Sequence, residues 1–129
     1  MKKIFPYVEL SNDKPYWISR ADFIQYFDQA DFAIRECAEV EDAYSPACFG
    51  KDENNREVFI LPVVAYINGT TQFINGRHRT AVLLKHMDLL PFALVTPFAI
   101  SSEILKKITQ NPINLGQPIE IPDLPIIKI

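Results

Sequence analysis

The sequence predicts an α+β domain in which a small mixed sheet carries packed helices. Three observations lead there. Val58 to Ile67 is almost wholly apolar and rich in β-branched side chains, as in a buried strand. Asn68-Gly69 follows at once and is the preferred pair for a two-residue hairpin turn. Apolar residues recur at helical spacing in two other segments, around 23–37 and 77–87.

A chain of 129 residues has the length of one domain, enough for a sizeable core. With 48% hydrophobic and 22% charged residues, the balance is that of a globular protein rather than a disordered one. A net charge of −3 argues against bulk affinity for nucleic acid or anionic membranes, but leaves room for a local basic site. Met1-Lys2-Lys3-Ile4-Phe5 begins like a signal peptide, yet Pro6 and Glu9 cut the apolar run short. No window approaches the ~18 apolar residues of a membrane span. The expected location is the cytoplasm, with no membrane partner. Cys37 and Cys48 have ten residues between them, neither a redox nor a zinc spacing, and are expected to be reduced, packed thiols. Asn68-Gly69-Thr70 fits a glycosylation sequon, but without an export signal it reads as turn chemistry.

Taken in order, the chain starts with two short β-like pieces, Tyr7 to Leu10 and Tyr16 to Ile18. The turn residues Ser11-Asn12-Asp13-Lys14-Pro15 separate them. Ser19 is the expected N-cap of a helix with Asp22 in its first turn. Phe23, Phe27, Ala30, Ile34 and Cys37 share one face of that helix, which Asp28 to Asp31 divides or interrupts. Between Asp31 and Glu57, eight carboxylates face three cations: a solvated acidic face or a surface for a basic partner. Val58 to Ile67 is the expected central strand, with Pro62 at its start or at a bulge. Thr70 to Asn75 returns antiparallel. A helix runs from Arg77 to Met87 with Ala81, Leu84 and Met87 on one face. Pro91 to Val95 is a further strand, and Ser101 or Ser102 caps a last helix reaching Gln110. The domain is expected to span 1–110. Residues 111–129 hold four of the ten prolines and form an expected extended arm against the domain or a partner.

The chemistry concentrates at Gly76-Arg77-His78-Arg79, between an expected strand and an expected helix. With Gly76 as N-cap, the next three backbone N–H groups lack intrahelical acceptors and lie at the positive end of the helix dipole. That arrangement suits an anion, phosphate above all. Cations in a first helical turn are each disfavoured by roughly 0.3–1 kcal/mol, so two arginines there go against local preference. A bound oxyanion would reverse that cost through bidentate guanidinium contacts.

Pro62-Val63-Val64, Asn68-Gly69, Phe73 through Ala81 and Leu90 through Val95 together resemble the core of the ParB/sulfiredoxin superfamily. There a hairpin leads to a Gly-x-x-Arg turn that opens a helix, and a strand entered through a proline follows. The resemblance covers 62–95, about a quarter of the chain. It implies a ParB/sulfiredoxin-like fold that binds nucleotide or nucleic-acid phosphate at the turn. Gly76, Arg77, His78 and Arg79 are then the phosphate positions, with Arg79 matching the motif arginine and Thr80 assisting. Some members hydrolyse nucleotides or nucleic acid. A free-standing domain with this turn also resembles the plasmid fertility-inhibition proteins of the Osa type. That likeness implies bacterial origin, NTPase and DNase activity, and action against conjugative DNA transfer or secretion.

Three departures limit the transfer. Sulfiredoxins carry a cysteine before the His-Arg pair, where this chain has Arg77, which argues against sulfinic-acid reduction. Partition proteins continue into a helix-turn-helix region, for which this chain lacks length and basic character. Many catalytic members have an acid before the glycine, where this chain has Asn75. In the enzymatic reading His78 is the general acid/base, because imidazole is the side chain that changes charge near neutral pH, and Arg79 stabilises developing charge. Mg²⁺ would arrive with the nucleotide and take carboxylates from elsewhere, Glu9, Asp13 and Glu57 being nearest by element order. His86 is expected at the surface. The alternative is a non-catalytic module that binds a protein through the acidic face or the C-terminal arm.

Overall fold

The computed structural model describes residues 1–27, 41–67, 69–95 and 102–127. In chain order the elements are β1 (Lys2–Tyr7), β2 (Lys14–Ser19), α1 (Arg20–Tyr26), a 3₁₀ turn (Pro46–Cys48), β3 (Phe49–Lys51) and β4 (Glu57–Ile60). They continue with β5 (Val63–Ile67), β6 (Thr70–Asn75), α2 (Arg77–Leu84), β7 (Leu89–Val95), α3 (Glu103–Ile108), β8 (Asn111–Pro112) and β9 (Ile119–Ile121). The α+β class is as expected, but the strands form two mixed sheets rather than one. A four-stranded sheet has the order β3-β4-β1-β9 and a five-stranded sheet the order β6-β5-β7-β2-β8.

The reason lies in the long apolar run. Expected as one strand, it is two, and they belong to different sheets. The Leu61 N–H still donates to the Tyr7 carbonyl of β1 at 3.0 Å. One residue on, the Pro62 carbonyl accepts from Ala93 N–H of β7 at 2.7 Å. Pro62 has no N–H to give to either ladder, so the crossing falls where the donor is missing anyway. β4 pairs in parallel with β1, and β5 in parallel with β7. The register of β5 against β6 slips between Val63 and Val64, just after the proline.

The hairpin β5–β6 closes with Ile67 opposite Thr70, and Gly69 has the positive φ of 82° that its turn requires. Asn68 lies outside the described residues, as do Ala30, Ile34, Cys37 and the 28–40 part of the acidic segment. α1 starts at Ser19, whose Oγ accepts from Asp22 N–H at 3.1 Å. It ends sooner than the spacing suggests, because Phe27 turns extended and bridges to Thr71 of β6. α3 starts at Ser102 and ends at Ile108, short of Gln110. The first strand is Lys2–Tyr7, and the expected β piece from Tyr7 to Leu10 shares only Tyr7 with it. Lys2 and Lys3 pair with Ile121 and Glu120 of β9, so a stretch that resembles a leader is sheet.

Residues 111–127 supply an edge strand to each sheet: β8 lies on β2 and β9 on β1. Tyr44 ties this segment down. Its hydroxyl donates to the Pro122 carbonyl at 2.6 Å, and its backbone exchanges bonds with Pro125 and Ile127. Each sheet has its own aromatic cluster. Phe23, Phe27, Phe73 and Phe92 meet on the five-stranded sheet, and Tyr44, Phe49 and Phe59 on the four-stranded one. Such ring pairs add roughly 0.5–1.5 kcal/mol each beyond area burial.

α2 was expected to be amphipathic and to reach Met87. It ends at Leu84, and five consecutive residues, Arg79 to Leu83, are buried. A helix buried on every side belongs to the interior. The arginine at its start is therefore carried inside with it.

Candidate functional site

The Gly76 turn joins β6 to α2. Gly76 is the N-cap, in the left-handed region at φ 100°, ψ 22°. Any side chain there would be strained, and an added Cβ would lie 2.7 Å from the Pro62 Cα. The close neighbour of this glycine is the proline at the sheet crossing.

Arg79 acts on the same crossing. It is 6% exposed, and its Nη1 donates to the Ile60 carbonyl at 2.8 Å, two residues before Pro62. Among the described residues no carboxylate pairs with it. Its guanidinium also acts electrostatically on the buried Cys48 thiol. Burial pushes that thiol above its ordinary value, with the guanidinium pulling the other way. Cys48 is thus the packed, reduced cysteine expected; its neighbour was not legible from sequence.

Arg77 and His78 are half-buried. Arg77 Nη2 donates to the Phe73 carbonyl at 3.0 Å, and its guanidinium lies 5.8 Å from the Phe73 ring centre. His78 Nε2 is 3.4 Å from the Ala43 carbonyl, a weak contact. Thr80 turns inward: it is 4% exposed, and its hydroxyl donates to the Gly76 carbonyl at 2.9 Å. This places the Thr80 hydroxyl away from any anion over the turn. The structure thus keeps Gly76 to Thr80 contiguous but divides them. Arg79 and Thr80 face inward, and Arg77 and His78 stay partly open.

The backbone supplies the rest of the site. The Gly76 carbonyl accepts from Thr80 N–H at 3.0 Å, which closes the first helical turn. Among the described residues, the N–H groups of His78 and Arg79 have no acceptor. No side chain caps α2, and no acidic residue occupies its first turn. Asn75 precedes the turn, exposed.

The carboxylates considered for Mg²⁺ do not come together. Glu57 pairs with Lys2 at 3.2 Å, while Glu9 and Asp13 line a separate cleft. Among the described residues no three His, Cys, Asp or Glu side chains converge on a point. The described side chains do not fit a protein-held Mg²⁺. His86 is exposed as expected, but not idle. Its Nε2 is 2.6 Å from Asp42 Oδ1, so both histidines of this region touch the Asp42–Ala43 segment. No helix among the described residues is long and apolar enough to cross a membrane. Comparison with family models, with curated proteins and with solved structures finds no match to this chain.

Proposed function

We propose that this chain is a phosphate-binding domain of the ParB/sulfiredoxin type, holding a nucleotide or nucleic-acid phosphate over the Gly76–Arg79 turn. The observation that carries the reading is the uncapped start of α2. Its free N–H groups lie beside Arg77 and His78, with no acid in the first turn. An oxyanion there accepts from the amides and sits against two partly open cationic or neutral donors. The order hairpin, Gly-x-x-Arg turn, helix and strand supports the same reading, although β7 begins at Leu89 and carries Pro91 inside it rather than at its entry. On this reading the chain acts as an inhibitor of plasmid DNA transfer or secretion, with His78 the residue able to move a proton at the bound phosphate.

A second reading is a non-catalytic interaction module. It is favoured by the burial of Arg79, whose guanidinium is committed to the Ile60 carbonyl. A thermal-shift and turnover panel separates the two. ATP, CTP, GTP and plasmid DNA are tested with and without Mg²⁺ on the wild type and Arg77→Ala. A ligand at roughly 100 times its Kd stabilises by about 2.7 kcal/mol, an easily seen shift. The proposal requires a shift that Arg77→Ala reduces. Turnover selects the NTPase or nuclease, and a shift without turnover selects the binding module. No shift with any phosphate ligand would sink both phosphate readings.

A further inference from the structure

We propose that the Glu9–Asp13 turn between β1 and β2 is a proton-operated latch, seated while the Asp13 carboxyl carries a proton and loosened when it loses it. The device is separate from the Gly76 turn and does not depend on the phosphate reading.

Asp13 is where the turn is fastened. Glu9, Leu10, Ser11 and Asn12 are exposed, whereas Asp13 is only 6% exposed. Its N–H donates to the Leu10 carbonyl at 3.0 Å, which closes the turn. Val8 is the buried residue on the other flank. Between these two the turn stands out from the domain, so its seating rests on Asp13 staying inside.

The Asp13 side chain is poorly suited to staying inside as an anion. Its Oδ2 is buried, with no hydrogen-bond partner among the described residues. No cation among them pairs with it. The charged and titratable groups that line the cleft beside it are Tyr7, Glu9, Asp52, Glu53 and Arg56. Three of these are carboxyl groups and one is a phenol. The cation, Arg56, is engaged elsewhere: its Nε donates to Asp52 Oδ2 at 3.0 Å, and it lies over the Phe5 ring, 3.6 Å from its centre. Lys14, next in the chain, is exposed.

Asp52 is the opposite case on the same cleft. It accepts from the N–H groups of Arg56 and Asn54, both at 2.9 Å, and such donors, Arg56 first, hold its carboxyl below its ordinary value. Asp13 has no donor, and burial holds its carboxyl above its ordinary value. A buried carboxyl without partners gives up its charge more readily than it bears the loss of water. As pH falls, Asp13 takes its proton while Asp52 is still ionised. A proton thus binds the seated Asp13 more tightly than it binds an aspartate in water. The seated turn is favoured below the ordinary aspartate range, and that advantage is lost as pH rises through the raised value. Leu10, on the turn, and Leu115 both line the cleft of about 590 Å³, so a loosened turn alters its mouth.

The test is a titration of the isotope-labelled full chain from about pH 3 to about pH 8, reading the Asp13 carboxyl carbon and the exchange protection of the Asp13 amide. The carboxyl is expected to titrate above the ordinary aspartate range. The protection, corrected for the intrinsic exchange rate at each pH, is expected to fall by up to about tenfold per pH unit between the ordinary value and the raised one, then level off. The Asp13 amide should exchange faster than that of Ala65, which is paired on both sides in β5. Asp13→Asn, neutral at every pH, should flatten the profile, and Glu103→Gln on α3 should leave it as in the wild type. The proposal is overturned if Asp13 titrates at or below the ordinary range, or if its amide protection does not follow that titration. Equal protection of Asp13 and Ala65 would also overturn it, since the turn would then open only with the whole domain. Should Asp13→Asn fail to fold, the wild-type titration decides.

Discussion

Helices α1 and α3 begin in one way and α2 in another. Ser19 and Ser102 each cap with a hydroxyl that accepts a first-turn N–H, and Asp22 and Glu103 sit where the helix dipole favours a negative charge. α2 begins at a left-handed glycine with no cap, no acid, and Arg-His-Arg in place of an acidic first turn. The local rules are obeyed where a helix only has to start. At α2 the turn has two further tasks. Gly76 and Arg79 hold the place where the chain passes from one sheet to the other, and the uncapped amides are left for something else.

The contrast divides the motif. Gly76 and Arg79 are explained by the crossing at Pro62 without any ligand, so their presence alone says little about function. What the fold leaves unexplained is narrower: the free amides, the missing acid, and the partly open position of Arg77 and His78 beside them.

The strongest way to break that division is Gly76→Val. It combines a β-branched residue at positive φ with a Cβ placed against the Pro62 backbone. We expect a loss of about 4 kcal/mol in urea unfolding. Gly69→Ala is the control, with φ 82° and nothing within 4 Å of an added Cβ, and should cost only about 1 kcal/mol. Equal losses at the two glycines would show that Pro62 plays no part.

Next in size is Arg79→Met, which keeps the length but leaves the Ile60 carbonyl without its donor. We expect about 2 kcal/mol of destabilisation, in the range for stranding a buried acceptor. If Arg79→Met is as stable as the wild type but loses every phosphate-induced thermal shift, Arg79 belongs to the ligand rather than to the crossing.

The sequence showed α2's start, the hairpin and the serine caps because each is written in adjacent residues. Ser19-x-x-Asp22 and Asn68-Gly69 need only local chemistry to be read. The crossing at Leu61-Pro62 was hidden because an unbroken apolar run looks the same whether it stays in one sheet or passes between two. β1 was hidden behind Lys2 and Lys3, whose partners in β9 lie over a hundred residues away. The burial of Arg79 was not legible either, although Ala81-Val82-Leu83 directly after it gave a signal. A helix apolar on consecutive positions has no solvent face on which to keep a charge. Asp13 read as a turn residue and a stray carboxylate. Its missing donor depends on what surrounds it in space.

The smallest effect separates the two kinds of helix start most sharply, because its sign changes with the ligand. His78→Glu gives α2 the acidic first turn that α1 and α3 already have. The contact it removes, at 3.4 Å to the Ala43 carbonyl, is weak. Without phosphate the variant should gain about 0.5 kcal/mol, since a carboxylate near a helix N-terminus is favourable by roughly that amount. With phosphate ligand present the new carboxylate repels the anion, so the thermal shift of the wild type should vanish. The crossover comes from one charge acting on one dipole, which an anion either uses or leaves free. A gain in both conditions would mean that α2's first turn is merely a poor helix start, and that its free amides meet nothing but water.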